Sequence, residues 1–199
     1  MSLDATYFEQ LFTAAPDPWA LGNRWYEQRK RALTLAALTR QRYARAFEPA
    51  CANGDLSALL APRCEHLLCM DASATATQLT CQRLHCQPQV EVRQGYLPAD
   101  WPEGEFELIV LSEFGYYLDS RDWAQVIDQA QASLSPQGSL LACHFLRPMA
   151  ECPQTGQQVH EQLQARLDLV RVMQHREADF LLELWCREPG GLDLEEPCL

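Results

Sequence analysis

The stretch from Tyr43 to Asp71 constrains the fold of this 199-residue chain more than any other. It begins with a short apolar segment that ends in an acid, Glu48, and continues through a turn of small residues, Pro49–Gly54. A helix is predicted from the end of that turn, and a second apolar segment, Glu65–Asp71, again ends in an acid. A strand, a tight turn, a helix and a second strand with a terminal carboxylate form the unit that binds an adenosine-containing cofactor in open α/β sheets.

Apolar spacing predicts alternating strands and helices along the rest of the chain. Phe106–Ser112 is a nearly continuous apolar run, which is typical of a strand buried on both faces of a parallel sheet. The last two strands are separated by only a short polar turn, so they must pair antiparallel, because a parallel crossover needs about a dozen residues. The further predicted helices cover residues 3–14, 24–39, 73–85, 120–134 and 156–167, and the further predicted strands cover residues 88–94, 139–146, 169–175 and 180–187, with a turn at Ser135–Gly138.

We expect one α/β domain, because 199 residues can bury a single substantial core. The two N-terminal helices lie within residues 1–42, before the first strand, and serve either as packing or as a lid over the site. Residues 43–188 form the core, and residues 189–199 form a loose acidic tail.

Charge and cysteine content exclude several classes of protein. The net charge of −11 argues against a general nucleic-acid-binding protein, which would carry a basic surface. The N-terminus lacks the pattern of a secretory signal, and no apolar run reaches transmembrane length. Nine cysteines then indicate free thiols in a reducing cytoplasm. The four-residue gaps of Cys64/Cys69 and Cys81/Cys86 differ from the two-residue gap of a zinc knuckle, so no metal site is predicted.

The composition of the turn discriminates between two classes of cofactor. A dinucleotide site needs three glycines, because the backbone must approach a pyrophosphate, yet this turn contains only Gly54. The carboxylate of Glu48 would also repel a pyrophosphate, whereas S-adenosyl-L-methionine carries a sulfonium and an ammonium that favour nearby carboxylates. Asp71 follows Gly54 at nearly the spacing of an acid that binds both ribose hydroxyls. The sequence therefore favours S-adenosyl-L-methionine, with S-adenosyl-L-homocysteine as the product, over NAD.

These segments resemble the motifs of class I S-adenosylmethionine-dependent methyltransferases. Glu48–Gly54 is similar to the first motif, acid-x-Gly-x-Gly-x-Gly, although Ala50 and Ala52 replace two glycines. Alanine allows the same close backbone approach only while its φ stays negative. Within that superfamily, the chain most resembles the nodulation protein S (NodS)-like family over about residues 5–188. The features that carry this resemblance are Asp17-Pro18-Trp19, Ser112-Glu113 with Tyr116-Tyr117-Leu118, His144 with Arg147-Pro148, and Thr155-Gly156 with Val159-His160.

The resemblance implies both a fold and a set of site residues. The implied fold is a Rossmann-like doubly wound sheet, mostly parallel and seven-stranded, in the order 3-2-1-4-5-7-6, with a C-terminal antiparallel hairpin and N-terminal lid helices. The resemblance also implies that Asp71 binds the ribose and that Ser112 and Glu113 lie beside the transferred methyl group. The implied cofactor-binding residues are Trp19, Tyr26, Lys30, Glu48, Ala50, Cys51, Gly54, Asp71, Ala72, Gly95, Tyr96, Leu97, Ser112 and Glu113.

Two residues are predicted to take part in catalysis. Glu113 is either a general base that takes a proton from the acceptor or a carboxylate that binds the ammonium of the cofactor. His144 stands in an apolar strand and is either a buried core residue or a group that faces the substrate. Tyr116 and Tyr117 either line the acceptor pocket or pack in the core, and one of the basic residues 29–31 is a candidate for binding the cofactor carboxylate.

The predicted function is methyl transfer from S-adenosyl-L-methionine to an amine, such as that of an amino sugar, or to a hydroxyl of a small molecule. Two alternatives stay open: an NAD-binding oxidoreductase, which shares the fold-level pattern, and a non-catalytic cofactor-binding protein, which the two alanines suggest. The predicted partner is the small-molecule acceptor, without nucleic acid or a membrane, and the sequence indicates no oligomeric state.

Overall fold

The computed structural model describes residues 1–188, 195 and 197 and contains one seven-stranded sheet. Its strands in chain order are β1 (Tyr43–Pro49), β2 (Cys64–Asp71), β3 (Val90–Gln94), β4 (Phe106–Ser112), β5 (Leu134–Phe145), β6 (Val170–Arg176) and β7 (Phe180–Cys186). Across the sheet they lie in the order β3-β2-β1-β4-β5-β7-β6. Strand β7 is antiparallel to β5 and β6, and the other pairs are parallel. The predicted fold class, with its strand order and C-terminal hairpin, is confirmed.

The helices of the described residues connect and cover these strands. They are α1 (Ala5–Ala14), α2 (Trp25–Ala37), α3 (Ser57–Leu60), α4 (Ala74–Arg83), α5 (Ser120–Ala132) and α6 (Gly156–Arg166), with 3₁₀ helices at Ala61–Arg63 and Gly115–Tyr117. Asp4 caps α1 and Ser73 caps α4, because each side chain accepts a backbone N–H that the helix leaves unpaired. Among the described residues, no helix has both the length and the apolar content that a membrane span requires.

Strand β4 lies at the centre of the sheet, and both of its faces are buried. Leu108 and Val110 belong to one apolar cluster, whereas Ile109 and Leu111 belong to another. Successive side chains of a strand point to opposite faces, so the two clusters are the two layers of core on either side of the sheet. Trp123 of α5 packs into the second cluster and is fully buried. The continuous apolar run of β4 predicted this burial on both faces.

The structure corrects the predicted element boundaries in two places. Residues 135–138, predicted as a turn, lie within β5. A bulge allows this, because Phe106 pairs with Leu134 while Leu108 pairs with Ser139, so extra residues of β5 are accommodated between the two pairs. The helix predicted over residues 54–61 is the short helix α3, which continues as a 3₁₀ helix. The predicted acidic tail, residues 189–199, lies outside the described residues except for positions 195 and 197.

The N-terminal helices are attached to the carboxyl edge of the parallel strands at two points. Glu9 of α1 accepts hydrogen bonds from the hydroxyls of Ser73 and Thr75, each at 2.6 Å, at the N-terminus of α4. Lys30 of α2 lies with its Nζ 2.5 Å from Oε1 of Glu113, the residue that follows β4. Residues of both helices therefore cover the edge of the sheet where the parallel strands end, and the role of this segment as a lid stays a prediction.

Candidate active site

A cavity of about 400 Å³ lies beneath α1 and α2 at the carboxyl ends of β1, β2, β3 and β4. Open α/β sheets bind their ligands at this edge, because the strand ends and the loops that follow them are accessible there. Among the predicted site residues, only Gly54 and His144 are absent from its walls. The predicted residues that line the cavity are Trp19, Tyr26, Lys30, Glu48, Ala50, Cys51, Asp71, Ala72, Gly95, Tyr96, Leu97, Ser112 and Glu113.

The turn after β1 has a left-handed backbone at three positions. Ala50 and Ala52 both have a φ of 54°, and Gly54 has a φ of 79°. The negative φ that alanine requires is therefore not present, and each alanine carries strain of about 1 kcal/mol. Gly54 packs the turn against α4, because a Cβ at this position would lie 3.1 Å from side-chain atoms of Thr80.

Asp71 ends β2 with its buried carboxylate held by two backbone N–H groups. The N–H of Ala52 donates to Oδ2 and the N–H of Ser73 donates to Oδ1, each at 2.9 Å. Each carboxylate oxygen has a second lone pair, so acceptor sites remain for the hydroxyls of a ligand. Burial raises the pKa of Asp71 to about 6, against the opposite effect of these hydrogen bonds. Asp71 is thus fixed in orientation while its charged form is disfavoured.

Glu48 ends the neighbouring strand β1 and is only 2% exposed. The thiol of Cys69 lies 3.7 Å from its Oε2, and a thiol is a weak hydrogen-bond donor. Burial raises the pKa of Glu48 to about 7, and the nearby charge of Asp71 contributes in the same direction. The carboxylate therefore has weak compensation for its burial, and a positively charged ligand in the cavity would stabilise its charged form.

Glu113 connects the N-terminal helices to the end of β4. Its Oε1 pairs with Nζ of Lys30, and its Oε2 accepts hydrogen bonds from the Tyr116 hydroxyl at 2.6 Å and the Phe145 N–H at 3.0 Å. Burial alone would lower the pKa of Lys30, but Glu113 and other negative neighbours outweigh it, so the pKa lies above its usual value. Glu113 has a φ of 59°, which is strained for a residue with a side chain. This backbone conformation occurs at the residue whose carboxylate accepts hydrogen bonds from Lys30, Tyr116 and Phe145.

Aromatic side chains form much of the remaining wall. Phe8 and Phe12 of α1 pack edge-to-face against Tyr117 and Trp19, with ring centroids 5.1 and 5.4 Å apart. Tyr117 also contacts Tyr116 at 4.8 Å, and both tyrosines line the cavity. Sequence reasoning missed the roles of Phe8 and Phe12, because their spacing is that of any packed helix face.

The segment Gly95–Leu97 follows β3 and forms the side of the cavity next to the end of β2. A Cβ at Gly95 would lie 2.8 Å from Sδ of Met70, so a glycine is required for this close approach. The hydroxyl of Tyr96 donates to the carbonyl of Leu3 at 2.6 Å. Tyr96 therefore helps to hold the N-terminus against this side of the cavity.

The basic residues of α2 divide between the surface and the cavity. Arg29 forms two hydrogen bonds, at 2.7 and 2.6 Å, with the carboxylate of Glu177 on the exposed surface. Lys30 lines the cavity but is paired with Glu113, whereas Arg31 lines the cavity and donates to the carbonyl of Leu21 at 2.8 Å, which leaves its other N–H donors for a ligand. Arg24 also lines the cavity and was not singled out from the sequence, because its neighbours form an undifferentiated basic run.

His144 lies outside the cavity, which is a correction to its predicted catalytic role. The residue is fully buried, with 0% exposure. Its Nε2 accepts the N–H of Gly115 at 3.2 Å, and its Nδ1 lies 3.2 Å from Nε2 of His160. Burial lowers the pKa of His144 well below its usual value, which favours the neutral ring. Because both ring nitrogens are engaged, the buried-residue alternative is the one that the structure supports.

The part of the chain that lines the cavity is similar to known methyltransferases. A family profile described as a methyltransferase domain matches residues 46–138, from within β1 to the start of β5. A crystal structure of a protein from Pseudomonas syringae, described as a methyltransferase, is 54% identical to this chain. The match covers 81% of this chain and 99% of that chain, with a TM-score of 0.74.

Nodulation proteins form a second group of similar proteins. The crystal structure of the N-methyltransferase NodS from Bradyrhizobium japonicum WM9, in complex with S-adenosyl-L-homocysteine, has a TM-score of 0.80 at 24% identity, covering 91% of this chain and 96% of that one. Nodulation protein S of Rhizobium tropici is 30% identical over 130 residues, or 64% of this chain. The match spans only 55% of the length of that relative and 60% of the relative from Sinorhizobium fredii.

The left-handed alanines of the turn give a first testable prediction. Replacing either Ala50 or Ala52 by glycine should raise the free energy of unfolding by about 0.5–1 kcal/mol, because removal of Cβ relieves the strain at positive φ. Chemical denaturation measures this change. Ala58→Gly in the helix α3 is the control and should lower stability by about 1 kcal/mol. Destabilisation by both Ala50→Gly and Ala52→Gly would contradict the assignment of strain.

The buried carboxylate of Glu48 gives a second prediction. Its pKa is higher in the folded protein, about 7, than in the unfolded chain, so its contribution to stability is full at low pH and is lost as the pH rises through 7. Glu48→Gln should therefore stabilise the ligand-free protein at pH 8 by on the order of 3 kcal/mol and have little effect at pH 4. Denaturation curves at several pH values provide the measurement. The exposed Glu65→Gln is the control, and an equal response of both variants would refute the role of burial.

Proposed function

The chain belongs to the class I S-adenosylmethionine-dependent methyltransferases, close to the NodS-like family, and we propose that it transfers a methyl group from S-adenosyl-L-methionine to a small molecule. The observation that carries the proposal is the pair of buried carboxylates, Glu48 and Asp71, which end adjacent parallel strands in one cavity. This pair favours a ligand that brings hydroxyl donors and positive charge. A pyrophosphate would instead bring negative charge to two acids.

The lining residues fit the parts of S-adenosyl-L-methionine. Asp71 retains lone pairs for the two ribose hydroxyls, and Ala72 with the segment Gly95–Leu97 forms the adjacent wall for the adenine. The turn after β1 lies beside Glu48, where it would accommodate the methionine part. Arg24 and Arg31 line the cavity from the N-terminal side and are suited to the carboxylate of that part.

The groups around Glu113 favour orientation of the acceptor over removal of its proton. When bound, the cofactor supplies a methyl group that is electrophilic because it is attached to a sulfonium. Lys30, Tyr116 and the N–H of Phe145 engage both oxygens of Glu113, so its carboxylate is held in one direction, with one lone pair of Oε1 left to accept an N–H or O–H of the acceptor. Such alignment contributes to rate because it replaces a random encounter by a fixed geometry.

We further propose that the acceptor atom is an amine nitrogen. A neutral amine attacks through its own lone pair and needs no base before transfer, whereas a hydroxyl needs one, and three donors already hold the oxygens of Glu113 and leave one lone pair on Oε1. Tyr116 and Phe145 line the cavity near this carboxylate, and aromatic rings are suited to a nitrogen that becomes positively charged on methylation. The name of the N-methyltransferase NodS, which shares the fold, is in line with an amine, and an amino sugar is one candidate.

The other two predicted functions have less support. NAD binding requires close approach of the turn to a pyrophosphate, and the methyl groups of two strained alanines stand in that turn. A non-catalytic protein that binds the cofactor is a distinct outcome of the experiments below. The cytoplasmic location stays a prediction from the sequence.

Binding of S-adenosyl-L-homocysteine tests the proposed cofactor. Isothermal titration calorimetry should detect binding at pH 8, and Asp71→Asn should weaken it by about tenfold or more, because an amide cannot accept both ribose hydroxyls as a carboxylate does. The affinity of the unaltered protein should fall as the pH decreases through 7 and 6, because protonation removes the charges of Glu48 and Asp71. Asp71→Asn should show a shallower fall, and the surface variant Asp128→Asn should match the unaltered protein.

Transfer of a radiolabelled methyl group tests the proposed reaction. The panel contains glucosamine oligomers, simple alkyl and aryl amines, and the alcohols that match each amine. Product on amines but not on the matched alcohols supports the proposal, whereas product on alcohols alone contradicts the assignment of an amine. Binding of S-adenosyl-L-homocysteine without any methylated product would favour a non-catalytic protein. Binding of NADH in place of S-adenosyl-L-homocysteine would refute the proposed cofactor.

The ion pair between Lys30 and Glu113 gives a prediction about the lid. Lys30→Met should lower the free energy of unfolding by on the order of 2 kcal/mol, because it leaves a largely buried carboxylate without its cation. The same variant should weaken the binding of S-adenosyl-L-homocysteine by about tenfold, because α2 is no longer attached at the end of β4. Arg29→Met removes the neighbouring cation, whose partner Glu177 is on the surface, and should change both quantities little. Equal effects of the two variants would contradict a specific role of Lys30.

A further inference from the structure

A buried chain of polar side chains runs from the C-terminal hairpin to the turn that follows β4. His144 of β5, His160 of α6 and Glu183 of β7 are 0%, 3% and 1% exposed. Nδ1 of His144 lies 3.2 Å from Nε2 of His160, and Nδ1 of His160 lies 2.6 Å from Oε2 of Glu183. None of these three side chains lines the cavity described above. They occupy three separate elements of the fold, so their alignment is not a consequence of local sequence.

The two ends of this chain determine where its protons lie. At one end, the N–H of Gly115 donates to Nε2 of His144, so that nitrogen carries no hydrogen and the proton of the neutral ring is on Nδ1. Nδ1 of His144 therefore donates to Nε2 of His160, whose own proton must be on Nδ1. That proton is donated to Glu183. Only one arrangement, with both histidines neutral and protonated on Nδ1, satisfies every contact.

The acidic end of the chain is stabilised as a carboxylate. Oε1 of Glu183 accepts hydrogen bonds from Arg171 at 2.7 Å and Gln174 at 2.6 Å. Burial would raise the pKa of Glu183, but the hydrogen bond from His160, together with Gln174 and the charge of Arg171, outweighs it and holds the pKa below its usual value. Glu183 is therefore an acceptor, as the proton arrangement requires.

The other end of the chain holds the 3₁₀ helix Gly115–Tyr117, which forms one wall of the active site. A Cβ at Gly115 would lie 3.0 Å from Nε2 of His144 and 2.7 Å from Val159, so the backbone is in direct contact with these side chains. The side-chain amide of Gln154 donates to the carbonyl of Gly115 at 3.4 Å and to the carbonyl of Leu118, which follows the 3₁₀ helix, at 2.8 Å. Backbone groups at both ends of this wall are therefore held by hydrogen bonds to the buried side chains of His144 and Gln154.

This helix carries two groups on which the site depends. The hydroxyl of Tyr116 donates to Glu113, the carboxylate at the proposed methyl-transfer position. The carbonyl of Tyr117 accepts the N–H of Leu3 at 2.9 Å, which attaches the N-terminal segment above the cavity. A shift of Gly115 would therefore move both the acceptor wall and the attachment of the lid.

We propose that His144, His160 and Glu183 are positioning residues that fix the Gly115–Tyr117 wall of the active site through one directed chain of hydrogen bonds. The proposed effect on the active site rests on the proposed methyltransferase activity, whereas the hydrogen bonds among the three side chains do not depend on it. His144 acts on the site only through the N–H of Gly115 and contacts neither cofactor nor acceptor. These hydrogen bonds also connect the C-terminal hairpin, through Glu183 of β7, to the wall of the active site.

Nitrogen-15 NMR of the ligand-free protein tests the arrangement of protons without any assumption about activity. His144 and His160 should both appear as neutral rings protonated on Nδ1, the tautomer that is the less common one for an exposed histidine. The signals of His144 should keep this form through neutral pH, because burial and the neighbouring His160 hold the pKa of His144 well below its usual value. A proton on Nε2 of His144, or a charged His144 at pH 7, would overturn the proposal.

A pair of variants separates the hydrogen bond to Gly115 from simple packing. His144→Gln places an oxygen near the position of Nε2 and can still accept the N–H of Gly115, whereas His144→Asn reaches only the position of Nδ1. Amide hydrogen exchange at Gly115 should be faster by about tenfold or more in His144→Asn and within about twofold of the unaltered protein in His144→Gln. His175→Gln is the matched control, because His175 also pairs with a glutamate, Glu177 at 2.6 Å, but on the surface of the hairpin.

Binding of S-adenosyl-L-homocysteine connects the chain to the site. His144→Asn should weaken binding by about tenfold, and both His144→Gln and His175→Gln should stay within about twofold. Equal losses in the asparagine and glutamine variants would mean that only the ring volume matters, and no loss in His144→Asn would mean that Gly115 needs no acceptor. Either result overturns the positioning role. Absence of binding by the unaltered protein would instead refute the proposed cofactor and leave the NMR and exchange results to decide on the chain.

Discussion

The burial of two carboxylates at one edge of the sheet is the constraint on which the rest of the site depends. Asp71 has two backbone N–H donors, which compensate part of its desolvation, whereas Glu48 lies beside the hydroxyl of Ser57 and the weak thiol donor of Cys69. Burial nonetheless raises both pKa values, that of Glu48 to about 7 and that of Asp71 to about 6. A few kcal/mol is a large part of the about 5–15 kcal/mol by which a domain is stable. The ligand-free site is therefore under electrostatic stress that a cationic ligand relieves.

The N-terminal segment takes part in the same balance, because it covers the edge where these acids lie. Glu9 attaches α1 at the N-terminus of α4, where a negative charge is favoured by the unpaired N–H groups of the helix. Lys30 attaches α2 to Glu113 on the other side of the cavity. The cover that these helices provide contributes to the burial that raises the pKa values of Glu48 and Asp71.

The sequence predicted the sheet well because its signals are local or follow from topology. The apolar run of β4, the acids at the ends of β1 and β2, and the close spacing of the last two strands were sufficient for the strand order once the family resemblance was included. The bulge in β5 was not predictable, because residues 135–138 have the composition of a turn and only pairing with β4 makes them strand. The lining from Phe8 and Phe12 was missed for a similar reason, since a helix face does not reveal whether it packs on a core or on a cavity.

The terminal hairpin illustrates how a fold-level feature reaches the chemistry. The sequence around His144 was compatible with either a buried core residue or a catalytic residue. Two distant residues, His160 and Glu183, decide between these alternatives, and no sequence spacing connects them to His144. Their alignment requires β7 to lie antiparallel beside β5, so that Glu183 pairs with Ala142, two residues before His144, and its side chain reaches α6. The wall after β4 is therefore held from two directions, by Lys30 through Glu113 and by the hairpin through Gly115. The first contact also attaches α2 to the end of β4, whereas the second involves no residue of the N-terminal helices.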